Sequence, residues 1–508
     1  MTFWQWASQT EEVLAIERVR NALNLFKAAS GRLPTQSELI KVVQGVLKPK
    51  DVLSDARMRA SIIANIKSEE IEEIPYLKQG IEMHHEIGGR IPTTQEVEVL
   101  ARRLGCLFEV KSMQDKTECK PAVETGMPTY GLYDYQRSVI TRTLKTISNG
   151  SNRALIHMPT GTGKTRTAMS LIARWLNSNN GAVAWATYSR ELIDQAKSEF
   201  LKSWSSLGQF NAKIGYFTGD YDQLSEGREI TFMSLSKLGR RILNMEQQEV
   251  IKMANSISLL VIDEAHQAIA QTYGDAIDRL SINNRKMKIV GLTATPGRTT
   301  DGQASLDGEM AKFFSQNKIE LVIDGYESPV DFLIEKGYLA KPIFENIDID
   351  QHDSISTNKA TIDLAQRALK EGHKRLIVFT ESVDSAYTIN AVLNAMGVEC
   401  HTVDGSTPMD ERNSIYQRYK KQSNRAVVLI NYGVLTTGFD APVTSAVIIA
   451  RPVNSLIVYS QIIGRALRGP SAGGSANASI YNLYTRDELE FRNVAKAFQN
   501  WNSLWSSH

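Results

Sequence analysis

A chain of 508 residues, 42% hydrophobic and 22% charged, can bury sizeable cores and is too apolar to be disordered. Its length suggests about three domains at roughly 100 to 200 residues each. The formal net charge of +2 neither supports nor excludes a nucleic-acid partner, because a basic groove depends on where charges sit rather than on their sum. Cys106, Cys119 and Cys400 are too few for a dense disulfide scaffold and match no structural zinc spacing. The first residues lack a basic segment followed by a long apolar one, and no apolar run reaches the ~18 residues that span a bilayer. The expected setting is cytoplasmic and reducing, with no membrane partner.

Residues 1–125 read as a helical accessory domain, with periodic runs at 12–27, 53–66 and 69–85. They hold an approximate repeat. Ser30-Gly31-Arg32-Leu33-Pro34-Thr35 is followed 58 residues later by Gly88-Gly89-Arg90-Ile91-Pro92-Thr93. In both copies a glycine closes one helix, and the threonine stands three residues before Glu38 or Glu96, a capping-box spacing. Two readings stand side by side: a purely structural helical repeat, or a small unit that docks nucleic acid or a protein partner. Pro121, Gly126, Pro128 and Gly131 mark 115–131 as a linker.

Beyond it the texture changes to short β-rich runs alternating with helical patterns, the mark of α/β domains with parallel sheets. Strands are expected at 154–158, 181–187, 230–234, 259–262 and 289–292, then at 375–380, 399–403, 426–431, 445–450 and 478–483. This implies two tandem parallel-sheet domains, at 126–340 and 341–486, with 335–360 as connector. A helix at 487–508 would pack Phe491, Phe498, Trp501 and Trp505 against the second domain.

The first strand runs into Pro159-Thr160-Gly161-Thr162-Gly163-Lys164-Thr165, followed by a helical run. Glycines let backbone N–H groups curl around phosphate oxygens, and the helix N-terminus adds a favourable dipole. Lys164 suits the β and γ phosphates of ATP, and the Thr165 hydroxyl suits Mg2+. The apolar run Leu259–Ile262 ends in Asp263-Glu264-Ala265-His266. At the carboxyl end of a core strand, Asp263 suits the Mg2+ ion and Glu264 suits the attacking water, which it would polarise as a general base. His266 fits a surface histidine or a link to the neighbouring domain.

With these motifs the sequence resembles a superfamily 2 helicase of the DEAH type, nearest to bacterial RadD-like DNA repair helicases and the helicase portions of restriction systems. The resemblance covers about residues 130 to 485 and implies two RecA-like motor domains driven by ATP and Mg2+. It implies that Gln136, in Tyr133-Asp134-Tyr135-Gln136, reads the adenine edge. Thr187-Tyr188-Ser189-Arg190-Glu191-Leu192 implies a nucleic-acid contact through Arg190, and Thr218-Gly219 and Ser234 imply further tracking contacts. Thr293-Ala294-Thr295-Pro296 implies coupling of hydrolysis to movement by Thr293 and Thr295.

In the second domain, Thr380, Thr407 and Thr436 are implied nucleic-acid contacts, while Gly438 and Asp440 belong to the nucleotide side. Gln461-Ile462-Ile463-Gly464-Arg465-Ala466-Leu467-Arg468 implies a coupling role for Gln461, an arginine finger in Arg465 and a phosphate-binding neighbour in Arg468. Physics supplies the reason for such a mate: a guanidinium delivered across a cleft stabilises charge on the γ-phosphoryl oxygens and ties turnover to closure. The chain departs from its RadD-like relatives in lacking a cysteine cluster after Cys400 and in having the helical N-terminal region. For strand separation, the wedge candidates are that N-terminal region and 236–254. The resemblance favours DNA over RNA. Unwinding, duplex translocation and an ATP-dependent switch working with a nuclease or repair partner all share these motifs, and the sequence leaves the oligomeric state open.

Overall fold

Strands such as Ala182–Thr187 and Arg375–Thr380 are buried along their whole length, as expected of a parallel sheet with helices on both faces. The computed structural model describes residues 3–66, 75–104 and 130–485, apart from 189, 220, 223–226, 228, 268–270, 295–303, 324, 327–328, 350–352, 422 and 436–438. The expectations for Thr295, Thr436, Gly438, most of the linker and the C-terminal helix lie outside these residues.

The first sheet contains β1 (Arg153–His157), β2 (Ala182–Thr187), β3 (Ile214–Thr218), β4 (Tyr221–Asp222), β5 (Ile230–Ser234), β6 (Ile257–Ile262), β7 (Lys288–Thr293) and β8 (Lys318–Glu320). Their order is β4-β3-β5-β2-β6-β7-β1-β8. All pairs are parallel except the β3–β4 hairpin, where Thr218 faces Tyr221. The second sheet contains β9 (Lys341–Ile349), β10 (Arg375–Thr380), β11 (Glu399–Val403), β12 (Val427–Asn431), β13 (Ala446–Ala450) and β14 (Asn477–Thr485). It is wholly parallel, in the order β11-β12-β10-β13-β14-β9. The two α/β sheets match the tandem RecA-like architecture, and the expected strands agree with the observed ones within two residues at either end.

Three expectations need correction. The stretch 335–360 is more than a connector, because β9 lies inside it and pairs with β14 over nine residues. Its Lys-Pro-Ile-Phe-Glu-Asn-Ile-Asp-Ile sequence is an edge strand, charged and only half-buried, so it lacks the apolar run that announced its neighbours. The run 236–254 is no projecting wedge. It forms helices Leu235–Asn244 and Gln247–Ser256, whose Leu238, Ile242, Val250 and Met253 are buried in the layer against the first sheet. The helical run at 53–66 is broken, since Asp55 accepts from the backbone of Arg57 at 2.8 Å and Met58 at 2.9 Å and starts a new helix at Ala56.

Both repeat units form a helix, a left-handed glycine, and a capped helix. Glu17–Ser30 stops at Gly31 with φ 72°, and Pro75–Ile87 precedes Gly88 with φ 55°. Thr35 and Glu38 close one capping box, Thr93 and Glu96 the other, and each glutamate also binds its own arginine, Arg32 or Arg90. The second turn is pinned from within by Arg59, which is fully buried and donates to the carbonyls of Leu53, Ser54, Gly88 and Arg90. The N-terminal helices share one apolar core with helices Ser354–Lys370 and Val383–Ala395 of the second sheet. At Gly45 a Cβ would lie 2.4 Å from Ala391 Cβ, so the Gln36–Val46 helix lies against Val383–Ala395 at a distance only glycine permits.

Candidate nucleotide site and nucleic-acid face

The loop after β1 takes its shape from Gly161 at φ 91° and Gly163 at φ 80°, conformations that favour glycine. Thr162 folds the loop on itself by donating to Pro159 O at 2.7 Å. The 15-residue helix Lys164–Ser178 begins there, aiming its first-turn N–H groups and positive dipole at the loop. Two side chains hold the loop from behind: Tyr135 Oη donates to Thr162 O at 3.1 Å and Gln136 Nε2 to the same oxygen at 3.0 Å. Gln136 Oε1 in turn accepts from Tyr133 N at 3.0 Å. Each end of the amide makes one hydrogen bond inside the protein, so Gln136 braces the loop and keeps one N–H and one oxygen lone pair beyond these bonds.

Asp263 and Glu264 follow β6, beside β2 and β7 and two strands from β1. Asp263 is buried, and its Oδ1 accepts from Glu264 N at 3.0 Å. Burial, and after it the charge of Glu264, raise the Asp263 pKa, while Lys164 opposes the shift. Glu264 sits at φ 50°, a left-handed conformation uncommon for a residue with a side chain and frequent where function fixes the backbone. His266 is buried with Nδ1 3.5 Å from Glu264 Oε2, which makes it an inner neighbour of the carboxylate rather than a surface histidine. Thr293 ends β7 fully buried, and its carbonyl accepts from Met158 N at 3.1 Å just ahead of the loop. Burial lowers the Lys164 pKa, against the pull of Glu264 and then Asp263. Two adjacent carboxylates offer the hard oxygen donors a divalent cation takes, and Asp263 with the Thr165 hydroxyl would be the residues to hold it.

The second sheet reaches into the same place. Arg468 Nη1 donates to Gly161 O, joining residues 307 apart in sequence, and its Nη2 lies 2.9 Å from Asp440 Oδ1. Burial works to raise the Asp440 pKa, but the charge and hydrogen bond of Arg468 outweigh it and hold the carboxyl below its usual range. Arg465 donates to Phe439 O, and burial brings its pKa down to about 10 despite the attraction of Asp440 and Glu264. Gln461 is buried in the helix Leu456–Ile463 that leads to them.

Sequence reasoning missed the packing that brings the arginines in. A Cβ at Gly464 would lie 2.0 Å from Thr160 Cγ2, and one at Gly161 2.8 Å from Leu339 Cδ2. Leu339 bridges to Arg468 as an isolated β-pair, and the Tyr338 ring packs tilted against that of Tyr133, with centroids 4.1 Å apart. The Gly in Gln-x-x-Gly-Arg was a visible signal; Leu339 and Tyr338 carried none.

The strand order separates a second face. In the first sheet the strands β1, β6 and β7 carry the nucleotide residues, and β2, β3 and β5 on the other half carry the residues expected to track nucleic acid. In the second sheet, β10, β11 and β12 do the same. Arg190 is exposed at this edge, Thr218 is half-buried and Gly219 exposed. Ser234, Thr380 and Thr407 are buried with their hydroxyls used internally. Ser234 Oγ lies 2.8 Å from Ser236 Oγ, Thr380 donates to Ser382 O and Asn431 O, and Thr407 Oγ1 accepts from Asp404 N. These three shape the strand ends rather than presenting free hydroxyls. Among the described residues no helix is long and apolar enough to cross a membrane.

Comparison with known proteins agrees with this architecture. Residues 129–298 match the family described as type III restriction enzyme, res subunit, and 358–470 match the helicase conserved C-terminal domain. A Saccharomyces cerevisiae protein named as an ATP-dependent helicase, IRC3, is 27% identical over 71% of this chain and 55% of its own length. The type I restriction enzyme EcoAI endonuclease subunit of Escherichia coli is 25% identical over 70% of this chain and 46% of its own. The chain thus spans about half the length of these relatives. A fragment named as an HsdR subunit of a type I restriction enzyme from Vibrio vulnificus YJ016 superposes with a TM-score of 0.51, at 20% identity, over 81% of this chain and 72% of that one.

Proposed function

This chain belongs to the superfamily 2 helicases, and we propose that it is a DNA helicase or translocase powered by magnesium-dependent ATP hydrolysis. The observation that carries the reading is the meeting of Arg465 and Arg468 with the Gly161–Lys164 loop and Glu264 across the cleft between the sheets. In this reading, Lys164 and the loop amides bind the phosphates and the Thr165 hydroxyl and Asp263 hold the cation, which supplies Lewis acidity at the γ-phosphoryl group. Glu264 orients the attacking water and takes its proton, with His266 fixing the carboxylate. Arg465 stabilises charge on the γ-phosphoryl oxygens, and Arg468 holds the two domains in register on the loop. Because the loop and the arginines sit on different sheets, turnover and cleft opening are one process. Two domains gripping one strand of phosphates then move along it stepwise. DNA as the track follows from the resemblance to restriction-system helicases.

The test is the steady-state ATPase rate of the full chain with magnesium, alone and with single-stranded, duplex or forked DNA or with RNA. Strong stimulation by DNA supports a coupled DNA motor, and stimulation by RNA alone makes it an RNA motor. A rate indifferent to every nucleic acid overturns the motor in favour of a protein-gated switch.

A further inference from the structure

Among the described residues, three large aromatic side chains are exposed: Tyr188, Tyr221 and Tyr432, at 56%, 64% and 38%. Isolated exposed apolar residues are ordinary, but these share one kind of place. Tyr188 directly follows β2, Tyr221 follows Thr218-Gly219 at the end of β3, and Tyr432 directly follows β12. All three stand at carboxyl ends of strands: Tyr188 and Tyr221 in the half of the first sheet away from β1, β6 and β7, and Tyr432 at the end of β12, ahead of Asp440 on the same loop. Cations accompany the two on the first sheet. Arg190 is exposed two residues from Tyr188, and Lys237 donates to the carbonyls of Gly219 at 2.7 Å and Tyr221 at 2.9 Å, holding the hairpin that presents the Tyr221 ring. Arg240, one turn further along that helix, is exposed. Tyr216 backs Tyr221 with ring centroids 6.5 Å apart, leaving most of the Tyr221 ring free.

From this placement we propose that Tyr188, Tyr221 and Tyr432 are stacking platforms for unpaired bases, so that the track is a single strand read by its bases' faces as well as by its phosphates. The chemistry is that of an ssDNA groove: cations hold phosphates while aromatic rings accept any base, since every base has a π-face. A duplex gains nothing from such rings, because its bases are already stacked on each other. The proposal rests on the motor reading and narrows its substrate.

The experiment is fluorescence anisotropy of the full chain with labelled oligothymidylate, with an abasic strand of the same length, and with a duplex. A uridine strand serves as a further arm to separate DNA from RNA. The wild type should favour the base-bearing single strand over the abasic one. Tyr188→Ala, Tyr221→Ala and Tyr432→Ala should each weaken oligothymidylate binding roughly tenfold while leaving abasic and duplex binding as they are. The corresponding Tyr→Phe variants should keep the preference, which separates a ring that stacks from a hydroxyl that bonds. Thermal melting identifies any variant that has lost its fold, and the wild-type preference stands as a test independent of all variants. Equal wild-type affinity for the base-bearing and abasic strands overturns the stacking proposal while leaving the motor intact. Alanine variants that lose both strands equally overturn it too, and binding to no nucleic acid removes the motor reading and the proposal together.

Discussion

Adding a single methyl group at Gly464 should uncouple nucleotide binding from hydrolysis. Gly464 has φ −57° and ψ −16°, which alanine adopts freely, so Gly464→Ala tests space and not backbone strain. Its Cβ would lie 2.0 Å from Thr160 Cγ2 and 2.9 Å from Thr160 Cβ. Rotating the threonine methyl away relieves the first clash but not the second. Carbon atoms pack at about 3.5 Å, so the loop and the Arg465 helix end must part by roughly 0.5 to 1.5 Å. A misplacement of about 1 Å between catalytic groups costs on the order of 100-fold in rate, equivalent to ~2.7 kcal/mol of barrier. Gly464→Ala should therefore bind a fluorescent ATP analogue nearly as well as the wild type, melt at the same temperature, and turn over about 100-fold more slowly. Thr160→Ser, which removes the clashing Cγ2, should restore part of the rate in the double variant, as coupling between touching residues requires. Wild-type turnover in Gly464→Ala would refute the idea that the close approach of the two sheets belongs to the catalytic state.

Glu264→Gln should still bind ATP but hardly hydrolyse it, and normal steady-state turnover would remove Glu264 from the general-base role. Arg59→Ala leaves four carbonyls without their donor and should destabilise the N-terminal region by about 3 kcal/mol in chemical unfolding, with little change in basal ATPase rate. The carboxyls of Glu38 and Glu96 are held down at about 2, chiefly by hydrogen bonds from Arg32 and Arg90 and then from the cap threonine backbone. A depressed carboxyl stabilises the fold above its ordinary pKa near 4.5 and loses that contribution as pH falls through about 2. Carboxyl NMR of glutamate-labelled protein should find both groups still ionised at a pH well below 4.5, and titration near 4.5 would mean that the arginine bonds do not persist in solution.

The parallel sheets were legible because buried strands must be apolar throughout, a pattern that survives without knowledge of any partner. The edge strands escaped for the complementary reason. Lys341–Ile349 has no fully buried position, and Lys318–Glu320 is only three residues long, so neither has to be apolar. The nucleotide loop and the Asp263-Glu264 pair were visible because their chemistry fixes residue types at fixed local spacings. What sequence could not supply was the use of each polar group. Thr380 and Thr407 are of the right type to touch phosphates, yet their hydroxyls bond to local turns and, for Thr380, to the neighbouring strand at Asn431. Gln136 has the right neighbours to read a base, and the structure adds a second use, a hydrogen bond from its amide to the loop carbonyl of Thr162.

The N-terminal region shows where periodicity stops being informative. An amphipathic helix announces that one face is buried and says nothing of what buries it. The sequence therefore allowed both a free-standing docking unit and a structural repeat. A docking unit on a linker would close its own core, whereas here Val42, Val43 and Val46 belong to a core that continues into Leu393, Val378 and Val428. Gly45 allows its helix to meet Ala391 more closely than any side chain would permit. Removing the region would strip the Val383–Ala395 helix of its cover and leave an apolar face in water. The first copy of the repeat is thus built as part of the second sheet's own packing, and any rotation of that sheet carries this copy with it.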